Sequence, residues 1–174
     1  MESIEYKVGQ SIIHKSIGVC TIKDIVEKDF GFGAQKYYVL VPYYAAGNAA
    51  NNTETMVNAA NTKQLRNYTP KKEIMEVLNK IQELESLWVN DSKRRKEIFL
   101  KILSEGDLLS LCQLVRTVYL KKIEYVDLKK NVPITDTTFC ANAEKLIFEE
   151  FAISLDKSVE DAKELLIPKL KYMK

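Results

Sequence analysis

The spacing of apolar positions changes once along the chain, near Thr69-Pro70, and the change separates two kinds of structure. From Tyr6 to about Tyr68, β-branched and aromatic residues form short runs bounded by Gly, Asn and Asp, which predicts strands near residues 11–15, 18–26, 35–42, 53–59 and 65–68. Five short strands in about sixty residues with no helix between them predict a small antiparallel β-barrel. Gly31 and Gly33 fit a turn between two strands, because glycine takes the positive φ that hairpin connections need. The small, Asn-rich stretch 45–52 reads as a flexible surface loop.

Beyond Pro70 the spacing becomes helical. Ile74, Val77, Leu78, Ile81, Leu84 and Trp88 form one buried face and predict a first helix that runs as far as Trp88. Asn90, Asp91 and Ser92 supply capping side chains for a second helix, whose stripe of Ile98, Phe99, Ile102 and Leu103 stops at Gly106, the place for a left-handed C-terminal cap. Asp107 caps a third, striped by Leu108, Leu111, Cys112, Val115, Val118 and Tyr119, with Asn131 and Pro133 beyond its end. Asp136 precedes a fourth stripe of Phe139, Ala143, Leu146, Ile147 and Phe151. Ser158 to Asp161 resembles a capping box for a fifth helix that Pro168 should kink or end. The fold class expected is therefore α+β in two modules: a small antiparallel barrel over residues 1–68, then an all-α bundle of about five helices over 71–174.

Composition narrows the function more than the fold. With 26 Lys and Arg against 24 Asp and Glu among 174 residues, the net charge of +2 excludes a uniformly basic wrap around nucleic acid, so any such contact is a local patch. Residues 71–130, with 13 basic and 10 acidic side chains, are the most basic part. Cys20, Cys112 and Cys140 are too scattered for metal spacing and too few for a disulfide framework, which points to a reducing, cytosolic compartment. No apolar run approaches the ~18 residues a membrane span needs, and the N-terminus lacks a signal-peptide pattern.

Chemistry is sparse. One histidine, His14, leaves a single candidate for a histidine-paired nucleophile and none for a multi-histidine metal site, so neither catalytic residues, metal nor cofactor are expected. Asp29-Phe30-Gly31 matches a kinase magnesium motif in letters only, since no Gly-rich phosphate loop precedes it, and it reads as a turn. Glu149 and Glu150, adjacent on a helix, point about 100° apart and predict a solvated face rather than a paired-carboxylate site. Cys112 and Cys140 lie on apolar stripes and read as buried thiols.

The run Lys93-Arg94-Arg95-Lys96 is more telling, because it lies in the first turn of a helix, where the dipole disfavours cations. Asp91 and the Lys93–Glu97 pair offset part of that cost on a merely solvated face. The alternative is a phosphate-binding patch, in which guanidinium groups grip phosphate oxygens and neighbouring amides add donors. Lys121, Lys122, Lys129 and Lys130 would widen it. Trp88, the single tryptophan, ends the first apolar stripe just before this run. Periodicity makes it a core residue, whereas exposure beside a basic patch would let it stack on a base or wedge into a base step.

The order of motifs resembles the CarD-like family of bacterial RNA polymerase-binding transcription regulators. The resemblance runs through Tyr6-Lys7-Val8-Gly9, Ile12-Ile13-His14, Ile17-Gly18-Val19, Tyr37-Tyr38-Val39-Leu40, Met56-Val57-Asn58-Ala59 and Leu65-Arg66. In the helical half it continues through Arg94-Arg95, Leu103 to Asp107, Leu114 to Tyr119, Ala143 to Leu146 and Glu149 to Ala152, covering about residues 5–155. Three features depart from the pattern. Many relatives place the tryptophan two residues before the Arg pair, where this chain has Ser92. Met56 replaces a common proline with Glu54 in place of a basic residue two positions earlier, and the loop from Tyr43 to Asn52 reads as longer than usual.

The resemblance implies a polymerase-binding factor and not an enzyme. A Tudor-like barrel would dock on the lobe of the polymerase β subunit, through positions held here by Lys28, Glu54 and Met56. The helical module would touch promoter DNA at the upstream edge of the bubble, through Trp88, Lys93, Arg94, Arg95, Lys96, Lys121 and Lys122, and stabilise the open complex. It implies a cytoplasmic protein associated with the nucleoid through polymerase, with no membrane partner; the oligomeric state stays open. Two other classes fit the composition: an adaptor whose barrel recognises protein and whose helices only stabilise, and a general nucleic-acid binder, which would show steep salt dependence without polymerase.

Overall fold

The computed structural model describes residues 5–31, 33–44 and 53–172, and the chain divides into two compact units, Met1–Tyr68 and Thr69–Lys174. The Asn-rich stretch 45–52 lies outside the described residues.

The first unit is a five-stranded antiparallel sheet. Its strands are β1 (Ser11–His14), β2 (Gly18–Asp29), β3 (Ala34–Pro42), β4 (Thr55–Asn58) and β5 (Leu65–Arg66), in the order β4-β3-β2-β1-β5. Alternation sends Tyr6, Ile12, Cys20, Ile22, Tyr38, Leu40, Val57 and Leu65 into one buried cluster. Because that cluster joins Val57 of one end strand to Leu65 of the other, the sheet curls around its own core, while the ladders leave β4 and β5 as its two ends. The Tyr6 backbone N–H donates to Tyr38 Oη at 3.2 Å, and the two rings meet edge to face. Between β2 and β3 the turn is closed by Asp29, whose Oδ1 accepts from Gly31 N at 2.7 Å and Gly33 N at 3.1 Å, both glycines having positive φ.

One bulge shapes this sheet. Ile22 pairs with Leu40 and Asp24 with Val39, so Lys23 is the extra residue on β2. Beyond it, β2 leaves the core: residues 23–29 are exposed except for half-buried Val26.

The second unit contains α1 (Lys71–Lys80), α2 (Ser92–Glu105), α3 (Leu108–Asp127), α4 (Ile134–Leu155) and α5 (Val159–Lys171). Local capping fixes most of the boundaries. Asp91 accepts from Arg94 N at 2.7 Å, Asp107 accepts from Ser110 N at 2.9 Å, Ser158 and Asp161 form a reciprocal capping box, and Gly106 ends α2 at φ 66°. Phe99, Leu111, Leu114, Ile147, Phe151 and Leu166 are among the large side chains fully enclosed by the bundle.

Two expectations fail in this unit. The first helix stops well before Trp88: α1 passes into a 3-10 turn over Ile81–Glu83, Leu84 is extended, and no helix resumes before Ser92. The reason is tertiary, since α3 side chains hold this strap. Arg116 donates to Gln82 O and Leu84 O, Gln113 Nε2 donates to Glu85 O, and Thr117 Oγ1 accepts from Leu87 N at 3.0 Å, so several of the strap's backbone groups are paired without a helix. α4 starts after Pro133, and Asp136, in its first turn, faces inward. Pro168 does not end α5, which runs on to Lys171, and the Arg116 guanidinium collects Lys169 O, Leu170 O and Tyr172 O at that helix end. Finally, Glu149 and Glu150 are buried at 6% and 1% exposure, not solvated. Glu150 accepts from Thr69 N at 3.0 Å and Thr69 Oγ1 at 2.7 Å, and Glu149 faces Lys145 at 3.9 Å. The C-terminal half of α4 is covered nearly all round, which the stripe alone does not reveal.

Candidate functional site

In the first unit, strand register decides which side chains share a face. Lys28 pairs with Gln35, Val26 with Tyr37, and Tyr37 with Asn58, while Val39 pairs with both Asp24 and Met56. Alternation along β3 therefore puts Lys28, Tyr37, Asn58 and Met56 on the outer face, opposite Tyr38, Leu40 and Val57 of the core. Lys28 and Met56 lie four β3 rungs apart, roughly 13 Å at ~3.3 Å per residue. Both are exposed, Met56 on an end strand.

Glu54 is engaged by Lys23 in an exposed ion pair and hydrogen bond, so the bulge residue neutralises it. That contact raises the Lys23 ammonium above its ordinary value. The outer face also contains Phe30, exposed and packed edge to face on Tyr37 at 5.3 Å. The letters around Phe30 read only as a turn; what marks it is exposure of a large apolar ring, which needs the register to be seen.

In the second unit, the strap, α2 and α3 assemble a cationic–aromatic cluster around Trp88. Arg95 Cζ lies 4.1 Å from the centre of the indole ring, Lys121 Nζ lies 5.2 Å from it, and Tyr125 meets it edge to face at 6.1 Å. Lys121 also sits 4.8 Å over the Tyr125 ring and 2.8 Å from Glu124. Trp88 is half-buried, so neither the fully enclosed core residue nor the free wedge describes it. Its Nε1 is shut off from solvent and meets no acceptor among the described residues.

The four basic residues at the start of α2 do not act alike. Arg95 is 3% exposed, and its guanidinium donates to Asp136 Oδ2 from Nε at 3.1 Å and from Nη2 at 2.8 Å, and also to the Val89 and Asn90 carbonyls. The expectation that it grips phosphate is therefore corrected: it faces inward and ties the strap to α4. Lys93, Arg94 and Lys96 are exposed, and among the described residues none has a carboxylate partner. They ring the positive end of α2, where phosphate oxygens would meet both side-chain charge and helix N–H groups.

Lys121 is the covered member of its pair, with 14% of its side chain exposed, while Lys122 is exposed on another side of α3 with its Nζ 5.7 Å over the Tyr119 ring. So Lys121 belongs to the Trp88 cluster and Lys122 does not.

His14, the one candidate for nucleophile activation, is 5% exposed, and its Nδ1 accepts from Ser16 N at 3.2 Å. Burial holds its pKa below the ordinary value, against a hydrogen bond with Gln64 that raises it. Burial likewise raises the Cys112 and Cys140 thiols. Among the described residues no group of His, Cys, Asp and Glu is placed to hold a metal ion, and no helix is long and apolar enough to cross a membrane.

Residues 6–69 match the family model of the CarD-like/TRCF RID domain, an RNA polymerase-interacting domain. The match spans the whole five-stranded sheet and ends where the helical unit begins. No curated protein matches the chain.

Proposed function

Because residues 6–69 form a CarD-like/TRCF RID domain, we propose that this chain is a non-enzymatic transcription regulator. It binds the lobe of the RNA polymerase β subunit through the sheet and touches promoter DNA through the helical unit. The family match carries this reading. Supporting it in the first unit is the outer face, where Phe30 and Met56 offer apolar contact beside Lys28. Strand addition at the β4 end would supply main-chain hydrogen bonds that tolerate changed side chains such as Glu54.

In the helical unit the DNA contact falls to Lys93, Arg94 and Lys96, with the Trp88 and Lys121 stack beside the strap that leads into them. Three unneutralised cations make a small patch, and a small patch suffices for a protein tethered to polymerase at the promoter. Open-complex stabilisation then equals the difference in affinity for the melted and closed promoter, and no more. The protein acts in the cytoplasm, on the nucleoid through polymerase, without a cofactor.

The test uses the full chain with core polymerase. Lys28→Glu combined with Met56→Glu should abolish co-purification with polymerase, while Arg94→Glu combined with Lys96→Glu should leave it intact and shorten open-complex lifetime on a promoter. Polymerase retention unaffected by the sheet variants would overturn the docking assignment. Tight binding to free RNA without polymerase would favour a general nucleic-acid binder instead.

A further inference from the structure

Away from the Trp88 cluster, the C-terminal halves of α3 and α5 border a groove of about 440 Å³, lined by Tyr119, Lys122, Ile123, Val126, Glu144 and Lys171. That volume lies within the range of about 300–1,000 Å³ usual for small-molecule sites. Two lysines almost fifty residues apart in sequence converge here: Lys122 Nζ lies 5.7 Å and Lys171 Nζ 5.3 Å from the centre of the Tyr119 ring. Neither has a carboxylate partner among the described residues, although Glu144 lines the same groove. Glu144 is occupied otherwise: it accepts from Cys140 Sγ at 3.1 Å and is hydrogen-bonded to the Tyr119 side chain.

Nor is Lys171 needed to neutralise the end of its own helix. Arg116 already collects the Lys169, Leu170 and Tyr172 carbonyls there, so the Lys171 charge is left for the groove. Both lysines line this groove beside the same ring, so an anion bound in it would be attracted by two positive charges. Beside them Ile123 and Val126 present an apolar wall, with Val126 73% exposed. A ligand that satisfies all of this carries a phosphate on a flat, weakly polar body.

We propose that the groove binds a nucleotide unit, with Lys122 and Lys171 gripping its phosphate oxygens and its base lying against Ile123 and Val126. The unit is either a free nucleotide or one residue of a single strand; the phosphate chemistry is the same. The site is separate from the basic turn of α2 and does not rest on the promoter reading above.

Adenosine diphosphate and a short single-stranded DNA are each titrated into the full chain, followed by the backbone amide signals of Ile123, Lys122 and Val126. One or both probes should move these signals, and Lys122→Gln with Lys171→Gln should weaken that binding about tenfold or more. Both lysines are exposed, and their thermal unfolding serves as the check that the double variant is folded. Arg94→Gln, which weakens the α2 patch, should leave the groove titration unchanged and so separates the two sites. Saturation by adenosine diphosphate assigns a free nucleotide, and a response to DNA alone assigns the single strand. Silence of these signals with both probes, or equal affinity in the double variant, overturns the proposal.

Discussion

Asp136 accepts two hydrogen bonds from Arg95, at 3.1 Å from Nε and 2.8 Å from Nη2, with both side chains about 4% exposed. The pair links α2 to α4 across 41 residues of sequence, and the same guanidinium holds the strap by two carbonyls and stacks on Trp88. Removing one partner leaves the other charge buried and alone. Arg95→Met should therefore cost about 3–5 kcal/mol of unfolding free energy, and Asp136→Leu a comparable amount. The double substitution should cost clearly less than the sum, because neither charge is then orphaned. Denaturant unfolding of the three variants checks this; additive losses would mean that the two residues act separately.

The indole at Trp88 shares its surface between solvent and the Arg95, Lys121 and Tyr125 side chains. A fully enclosed tryptophan would lose about 3–5 kcal/mol on truncation, and a free one almost nothing. Trp88→Ala should fall between, at about 1–3 kcal/mol, with the helical unit still folded at room temperature. As the single tryptophan, Trp88 also reports on its own cluster: Lys121→Met should change its fluorescence emission, and Lys122→Met should not. Identical responses to both would contradict the separation of the two lysines.

The exposed cations of α2 give a different signature, because they sit in water and hold nothing together. Lys93→Gln, Arg94→Gln and Lys96→Gln should each leave unfolding stability within about 0.5 kcal/mol. Each should lower the slope of log affinity for DNA against log salt by about one, without changing sequence preference. Arg95→Gln should do the reverse, lowering stability strongly and the slope little at temperatures where the protein stays folded.

Which of these roles could be read from the chain depends on how far apart the interacting residues are. Caps are local, so a cap within Asn90-Asp91-Ser92, and Gly106, Asp107 and Ser158, can be placed from sequence alone, and they end or begin helices as their neighbours demand. The strands are legible for the same reason, since alternation over a few residues carries the signal. Arg95 cannot be told from Arg94 in this way; what buries it is Asp136, and nothing near Arg95 announces that partner. Leu84 and Trp88 keep helical spacing by coincidence, while three side chains of α3 pair that segment's backbone outside any helix. Likewise the Lys23 bulge, which turns one side chain onto Glu54, exists only in the pairing of β2 with β3. Glu149 and Glu150 follow the same rule, because burial all round a helix depends on what packs behind it.

Acid should act on the first unit through His14. In the folded state this ring is buried and its Nδ1 accepts from the Ser16 backbone N–H, an interaction possible only with Nδ1 unprotonated. Its folded pKa is accordingly lowered, chiefly by burial, while in the unfolded chain it returns to about 6.5. For a base with a depressed folded pKa, the unfolded chain takes up the proton first. Between the two values it holds more protons than the folded one, so stability rises with pH across that window. The contribution is thus complete above about pH 6.5 and lost progressively as pH falls from there toward the folded pKa. Unfolding of the chain followed between about pH 7.5 and pH 5.5 should show this loss in signals from the sheet. His14→Asn keeps an acceptor near the Nδ1 position without a titrating ring, so it should flatten the slope in that window even if it lowers stability throughout. A slope unchanged by His14→Asn would place the acid sensitivity on other groups and leave the buried imidazole with a packing role alone.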